Sequence, residues 1–377
     1  MPDVLPQLRL DLSALDHNIA LLADWCREQG VVLAPHVKTT MTRPIVERQL
    51  AAGAWGVTVA TVAQAAIVRD WGVDRIVVAN QVVQPAELAR LRSWLEADAS
   101  LDLCCLVDSV AGVGIAAGAF AGAARPLPVL LDVGAPAGRT GVRTPAQALD
   151  VARACAAAPG VVLVGVSGYE GVRPNTRDAA TVALVDEHCR TTLEVLDQLR
   201  PLLETSRPVL TLGGSAFPDR ALLAAAGADV IDGVEVVLRS GCYVTHDHGT
   251  YAEVSPFPGL RPALSVRTVV LSTPEPGLVV LAGGKRELPH DAGLPVLLPD
   301  PLTDPLTDPL TDRGPARGTA VRIYDHHLVL EQASGLAVGD VVDLGISHPC
   351  SAFDRWPDIA VVDAAGDVVG TWHPRFH

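Results

Sequence analysis

Between residues 31 and about 237 the chain alternates two hydrophobic patterns: short β-branched runs, and Ala/Leu-rich segments with apolar residues every three to four positions. The runs VVLAPH (31–36), GVTVAT (56–61), RIVVANQ (75–81), DLCCLVD (102–108), PVLLDVG (128–134), VVLVGVSG (161–168), PVLTLGG (208–214) and VIDGVEVVL (230–238) have the length and composition of strands. Helical patterns lie between them. TRPIVERQLAA (42–52) starts on Thr42 as an N-cap and stops before Gly53, and 145–158 carries an apolar stripe. The glycines of GAWGV, WGVDR and GADVI fall at helix-to-strand returns, where a positive φ is needed. Eight strands alternating with helices predict an α/β fold, a parallel sheet closed as a TIM-like (β/α)8 barrel over residues 12–248.

Past His248 the helical period disappears. TVVLSTP, GLVVLAGG, RGTAVRIYD, HLVLEQAS, DVVDLGIS, DIAVVDAAG and DVVGTWH are strand-length runs between turn residues, which predict a β-rich second domain over 249–377, joined by residues 1–11. Inside it, DPLTDPLTDPLTD (300–312) places a proline at every fourth position, which excludes helix and central strand and predicts an exposed loop insertion.

Composition narrows the function. With 49% hydrophobic and 19% charged residues the chain can bury a large core, so disorder is excluded. A net charge of -14, with no Lys/Arg cluster, argues against nucleic acid as a partner. The longest nearly uncharged run (110–124) is too short and too rich in Gly and Ala to span a bilayer, and the first eighteen residues lack the basic and apolar regions of a signal peptide. No membrane association and a cytoplasmic location are expected. The seven cysteines, odd in number and irregular in spacing, form no disulfide framework and are expected to be reduced.

Only Lys38 and Lys285 are lysines among 29 basic residues. Lys38 follows the first strand, and in a (β/α)8 barrel that end of each strand faces the active site. Arginine can replace lysine as a surface cation but not as an amine nucleophile, so retention of Lys38 points to a covalent role. Pyridoxal phosphate is the common reason for such a lysine, and it also needs backbone amides around its phosphate. The Gly-rich turns TLGGSAF (211–217) and RSGCYVTHDHGTY (239–251) follow the seventh and eighth strands, where a barrel holds phosphate. Separately, His348 and Cys350 flank a proline in LGISHPCSAFDRW; an imidazole and a thiolate two residues apart form a zinc-preferring pair that leaves positions open for substrate.

Taken together, APHVKT with the following TRPIVERQLAAGAWGVTVATVAQA, then LDVGAPAGRTGV, SGYEG, LGGS, RSGCYV and HPC, resemble the fold-type III pyridoxal phosphate family of D-threonine aldolases and D-serine dehydratases over essentially the whole chain. The resemblance implies an alanine racemase-type barrel followed by a β-domain, a homodimer with active sites near its interface, and a metal beside the cofactor. It assigns Lys38 to the Schiff base, Arg139 to the pyridine nitrogen and Tyr169 to an aromatic contact. Gly214 and Ser215 take one side of the phosphate cup. Gly241, Cys242 and the adjoining Tyr243 take the other, Cys242 standing where the family more often has serine. His348 and Cys350 become ligands of a divalent metal, with zinc expected. His36, on the same face as Lys38, is a further cofactor-contact candidate.

The HxC pair is similar to the zinc-dependent D-serine dehydratases, whereas the aldolases tend to show histidine and aspartate. The expected activity is therefore elimination of water from D-serine or D-threonine, giving a 2-oxo acid and ammonia; the alternative is retro-aldol cleavage of D-threonine to glycine and acetaldehyde. A racemase would leave the metal pair without a task, and a non-catalytic cofactor carrier would not need the second domain. The His246-Asp247-His248 run, Lys285, read as a contact to a second subunit, and His327 complete the candidates.

Overall fold

The computed structural model describes residues 4–226, 229–299 and 314–376. The repeat at 300–312 and Gly227 of GADVI lie outside them. The chain opens with β1 (Gln7–Asp11), α1 (Leu12–Glu28) and β2 (Val32–Leu33), followed by α2 (Arg43–Ala51), β3 (Val57–Val59), α3 (Val62–Asp70), β4 (Arg75–Gln81), α4 (Pro85–Ala97) and β5 (Asp102–Val107). The same alternation continues through α5 (Val110–Ala119), β6 (Leu127–Val133), α6 (Pro145–Ala156), β7 (Val161–Gly168), α7 (Ala179–Leu199), β8 (Val209–Leu212), α8 (Pro218–Ala225) and β9 (Glu235–Leu238).

Strands β2 to β9 form one parallel sheet whose last member returns to the first through Val32↔Val237 and Leu33↔Leu238. The remaining seam, between β2 and β3, is narrowed by a bridge between His36 and Thr58 and by Thr58 N donating to Pro35 O at 2.9 Å. The result is a near-closed eight-stranded barrel, as the sequence pattern predicts.

Short polar residues start the helices, because the first N–H groups of a helix lack partners within it. Thr61, Ser109, Thr144 and Asp178 each accept a backbone N–H of the first turn of α3, α5, α6 and α7. Thr42 holds the cap position of α2, but its hydroxyl donates to Thr40 O at 2.6 Å and so does no capping. Gly53 and Gly72 have φ of +95° and +88°, the left-handed returns expected of them.

After α9 (Thr250–Val254), the second sheet comprises β10 (Leu264–Glu275), β11 (Leu278–Ala282), β12 (Val296–Leu297), β13 (Arg317–Ile323), β14 (His327–Ser334), β15 (Val341–Gly345), β16 (Ile359–Val362) and β17 (Val368–Trp372). Its order is β13-β14-β11-β10-β1-β16-β17, with β15 on β10 and β12. The N-terminal β1 thus sits inside this sheet, antiparallel to β10 and parallel to β16, with Leu8 and Leu10 fully buried.

What matters for the site is how the turn after β15 docks on the barrel. His248 N donates to Ile346 O and Thr250 N to Ser347 O, at 2.8 and 2.9 Å. Two glycines permit this approach: a Cβ on Gly249 would lie 2.8 Å from Ser347 O, and one on Gly345 would lie 2.5 Å from the His248 ring. These contacts carry His348 and Cys350 to the C-terminal rim of the barrel, beside the turn that follows β9.

Candidate active site

A cavity of about 280 Å³ opens at that rim. Its walls come from the ends of successive strands: His36, Lys38 and Thr39 after β2, Arg139 and Thr140 after β6, Tyr169 after β7. Gly214 and Ser215 follow β8, Gly241 and Cys242 follow β9, and Cys350 comes from the second sheet's turn. Nine of the sequence candidates therefore share one space.

Tyr243 does not. The 3-10 turn Cys242–Val244 rotates successive side chains apart, and the Tyr243 hydroxyl accepts Gln49 Nε2 at 3.0 Å in the packed shell outside the barrel. Its side chain, expected to contact the cofactor, therefore does not line the cavity. Lys285 and His327 do not line the cavity, and both are exposed.

The two glycine turns form a cradle. Ser215 Oγ accepts the N–H groups of Gly241 and Cys242 at 3.1 and 3.0 Å, so the turns after β8 and β9 face one another. A Cβ on Gly241 would lie 2.4 Å from the backbone oxygen of His36. Gly241→Ala is therefore expected to force the cradle apart. It should cost about 1–3 kcal/mol of stability and speed loss of the cofactor on dialysis, measured by melting temperature and by cofactor absorbance.

Buried charge lies beneath the cradle. Glu170 is fully buried: Oε1 accepts Gly214 N, Oε2 has no partner, and burial pushes the carboxyl above its usual range. Asp132, raised for the same first reason, accepts Thr140 Oγ1 at 2.9 Å and Gln81 Nε2 at 3.1 Å. Between these acids stands buried Arg239, whose Nη2 donates to Gly168 O at 2.6 Å. His36, with Nδ1 buried and unpartnered, is held neutral by burial and by Lys38 and Arg239 nearby. The Arg139 guanidinium lies 4.7 Å from the Tyr169 ring centre.

Sequence reasoning missed Glu170, Asp132 and Arg239. Two of them stand within the quoted motifs SGYEG and LDVGAPAGRTGV and the third opens RSGCYV, so the signal available was an ionisable residue at a strand end that the fold buries.

His188 positions this wall from behind, its Nε2 accepting Tyr169 N at 3.2 Å. Burial, then Arg173 and Arg143, lowers its pKa from 6.5 to about 4. The folded protein keeps His188 neutral while the unfolded chain binds a proton, so this stability is full above pH 6.5 and is lost as pH falls toward 4. The loss is on the order of 3 kcal/mol. Urea unfolding at pH 7 and near pH 4 should show it, and His188→Gln should flatten that part of the profile.

At the opposite edge Cys242, His348 and Cys350 bring three potential ligand atoms within 4.8 Å of one another. The two sulfurs are 3.1 Å apart, and Thr39 Oγ1 is 3.8 and 3.9 Å from them. His348 Nδ1 bonds Asp291 at 2.7 Å, leaving Nε2 as the ring's free ligand atom, and Asp291 is in turn held by Ser351 Oγ at 3.1 Å. The hydrogen bond from Cys350 draws the Cys242 thiol well below its ordinary value, while Cys350 is pushed up. Burial works against charge on His348, but Cys242 and Asp291 outweigh it and raise the ring to about 9. The cluster thus holds exchangeable protons where metal binding would release them. Asp247 Oδ1 accepts the N–H groups of Gly249, Tyr251 and Ala252, which fixes the turn behind Cys242.

The chemistry of both donor sets fits the groups that the sequence implies. An amine, a cradle of backbone N–H groups and a guanidinium around one cavity suit pyridoxal phosphate; thiols and a carboxylate-oriented imidazole suit zinc.

Comparison with known proteins agrees in extent and order. Residues 10–227 match the family described as alanine racemase, N-terminal domain, and 263–362 match one described as a serine dehydratase domain. A D-threonine aldolase of Arthrobacter sp. is 29% identical over 365 residues, which is 95% of this chain and 88% of that protein. The crystal structure of D-threonine aldolase from Filomicrobium marinum superposes with a TM-score of 0.80 at 26% identity, covering 98% of this chain and 94% of the other. D-threo-3-hydroxyaspartate dehydratase from Delftia sp. HT23 has the same fold, with a TM-score of 0.78 at 23% identity over 100% and 98% of the two chains.

Proposed function

Because the chain belongs to the alanine racemase N-terminal domain family, the fold-type III pyridoxal phosphate enzymes, we propose that it is a metal-dependent lyase that removes water from D-3-hydroxy amino acids. The products are a 2-oxo acid and ammonia. The observation that carries this reading is the convergence of Lys38 and the glycine cradle with His348 and Cys350 on one barrel rim.

Lys38 Nζ would hold the cofactor covalently and, when freed by the substrate amine, take the proton from Cα. The phosphate would dock between the turns after β8 and β9, where Ser215 Oγ would yield to it the Gly241 and Cys242 N–H groups that it now accepts, and Arg139 would face the pyridine nitrogen. When bound, the cofactor supplies an electron sink for the charge developing at Cα. His348 and Cys350 would hold the metal, whose Lewis acidity assists departure of the β-hydroxyl.

Arg139 and Thr140 line the cavity yet are exposed in the single chain, which supports a homodimer whose second copy covers the open side. Cytoplasmic location belongs to the same reading: all seven cysteines are free, and among the described residues no helix is long and apolar enough to cross a membrane.

Retro-aldol cleavage remains the second reading, favoured by the likeness to D-threonine aldolases. The sulfur ligand Cys350 supports elimination over cleavage, and the products decide between them. Incubation with D-serine, D-threonine and D-threo-3-hydroxyaspartate should release ammonia and 2-oxo acid in equal amounts. Glycine with an aldehyde, and no ammonia, would replace elimination by cleavage.

A further inference from the structure

We propose that Cys242 is a third protein ligand of the metal, so that the site is a three-ligand Cys2His set with one exchangeable position. The proposal rests on the metal-dependent reading above and adds a ligand to it.

The geometry comes from two distant parts of the chain. Cys242 stands on the turn after β9 and is 4% exposed; Cys350 stands on the turn after β15. Their sulfurs lie 3.1 Å apart, well beyond the bonded distance of about 2.05 Å. Two sulfurs each 2.3 Å from a tetrahedral zinc are about 3.8 Å apart, so an opening of roughly 0.7 Å by side-chain rotation admits the ion. His348 offers Nε2 to the same space because Asp291 occupies Nδ1. The backbone of Cys242 is fixed independently, its N–H donating to Ser215 Oγ in the cradle. One residue therefore links the phosphate end of the cavity, through its amide, to the metal end, through its sulfur.

Charge and coordination follow. The protons that the three side chains share pass to solvent as the ion binds, and two thiolates with a neutral imidazole cancel its 2+ charge. A His/Cys pair alone would leave a net positive ion with two open positions, able to chelate a hydroxyl and a carboxylate together. Three ligands leave one position, so the substrate reaches the metal through its β-oxygen alone. The soft set also favours zinc over manganese or magnesium.

X-ray absorption at the zinc edge of the zinc-loaded holoenzyme counts sulfur ligands directly. Two sulfurs are expected, falling to one in Cys242→Ser, with zinc affinity lower by at least the roughly 10- to 100-fold seen when mere outer-shell partners are lost. One sulfur in the wild-type protein would overturn the proposal and leave the His348/Cys350 metal site standing. Zinc without any sulfur, or a holoenzyme that takes up no zinc, would overturn that reading and this one with it. A Cys242–Cys350 disulfide in the zinc-treated protein, seen as a loss of two hydrogens in intact mass, would overturn the proposal too.

Discussion

Lys38→Arg is expected to fold normally and to lose both the covalently bound cofactor and turnover, the latter by at least roughly a thousandfold. Arginine keeps the positive charge at the end of β2, but its guanidinium stays protonated and cannot act as an amine nucleophile or accept the Cα proton. Lys38→Ala, which removes bulk rather than adding it, should do the same. Borohydride reduction followed by peptide mass analysis separates covalent loss from poor binding: the wild-type peptide carrying Lys38 should gain the cofactor's mass, and neither variant should. Cofactor mass on the peptide carrying Lys285 instead would sink the assignment.

Removing Arg239 should have the largest effect on stability. Its guanidinium is buried between Asp132 and Glu170, which burial has already pushed up. Arg239→Met leaves those carboxyls without a compensating cation and Gly168 O without its donor, at a cost of about 3–5 kcal/mol. Urea unfolding of cofactor-free protein at pH 7 isolates this from any effect on cofactor binding. A change below about 1 kcal/mol, the usual size for a surface charge, would show that solvent already screens the cluster.

The barrel could be read from the chain because its strands are short apolar runs punctuated by glycine turns, and strand ends carry functional residues wherever such a barrel closes. Lys38 and the two glycine turns follow strands, so local pattern placed them, whereas Arg139 and Tyr169 were assigned through the family resemblance. Cys242 shows the limit of that reasoning. The sequence placed it in the phosphate cup through its backbone, but nothing local announces that its sulfur meets Cys350, because that contact depends on how the turn after β15 docks on the rim. Tyr243 shows a related limit: a 3-10 turn directs adjacent side chains to opposite walls, and strand-end position alone does not say which one faces inward. The acid pair around Arg239 escaped notice because burial, not residue type, gives those groups their character.

The account stands on the cofactor pocket and the metal cluster acting as one site on a D-3-hydroxy amino acid. Ammonia release from D-threo-3-hydroxyaspartate, measured before chelation, after it, and after zinc is returned, tests that most directly. Chelation should remove at least about 99% of the activity, in line with a Lewis acid worth several kcal/mol at the leaving oxygen, and zinc should restore it with the cofactor absorbance unchanged throughout. Full activity in metal-free enzyme, or equal activity on the L isomer, would contradict it.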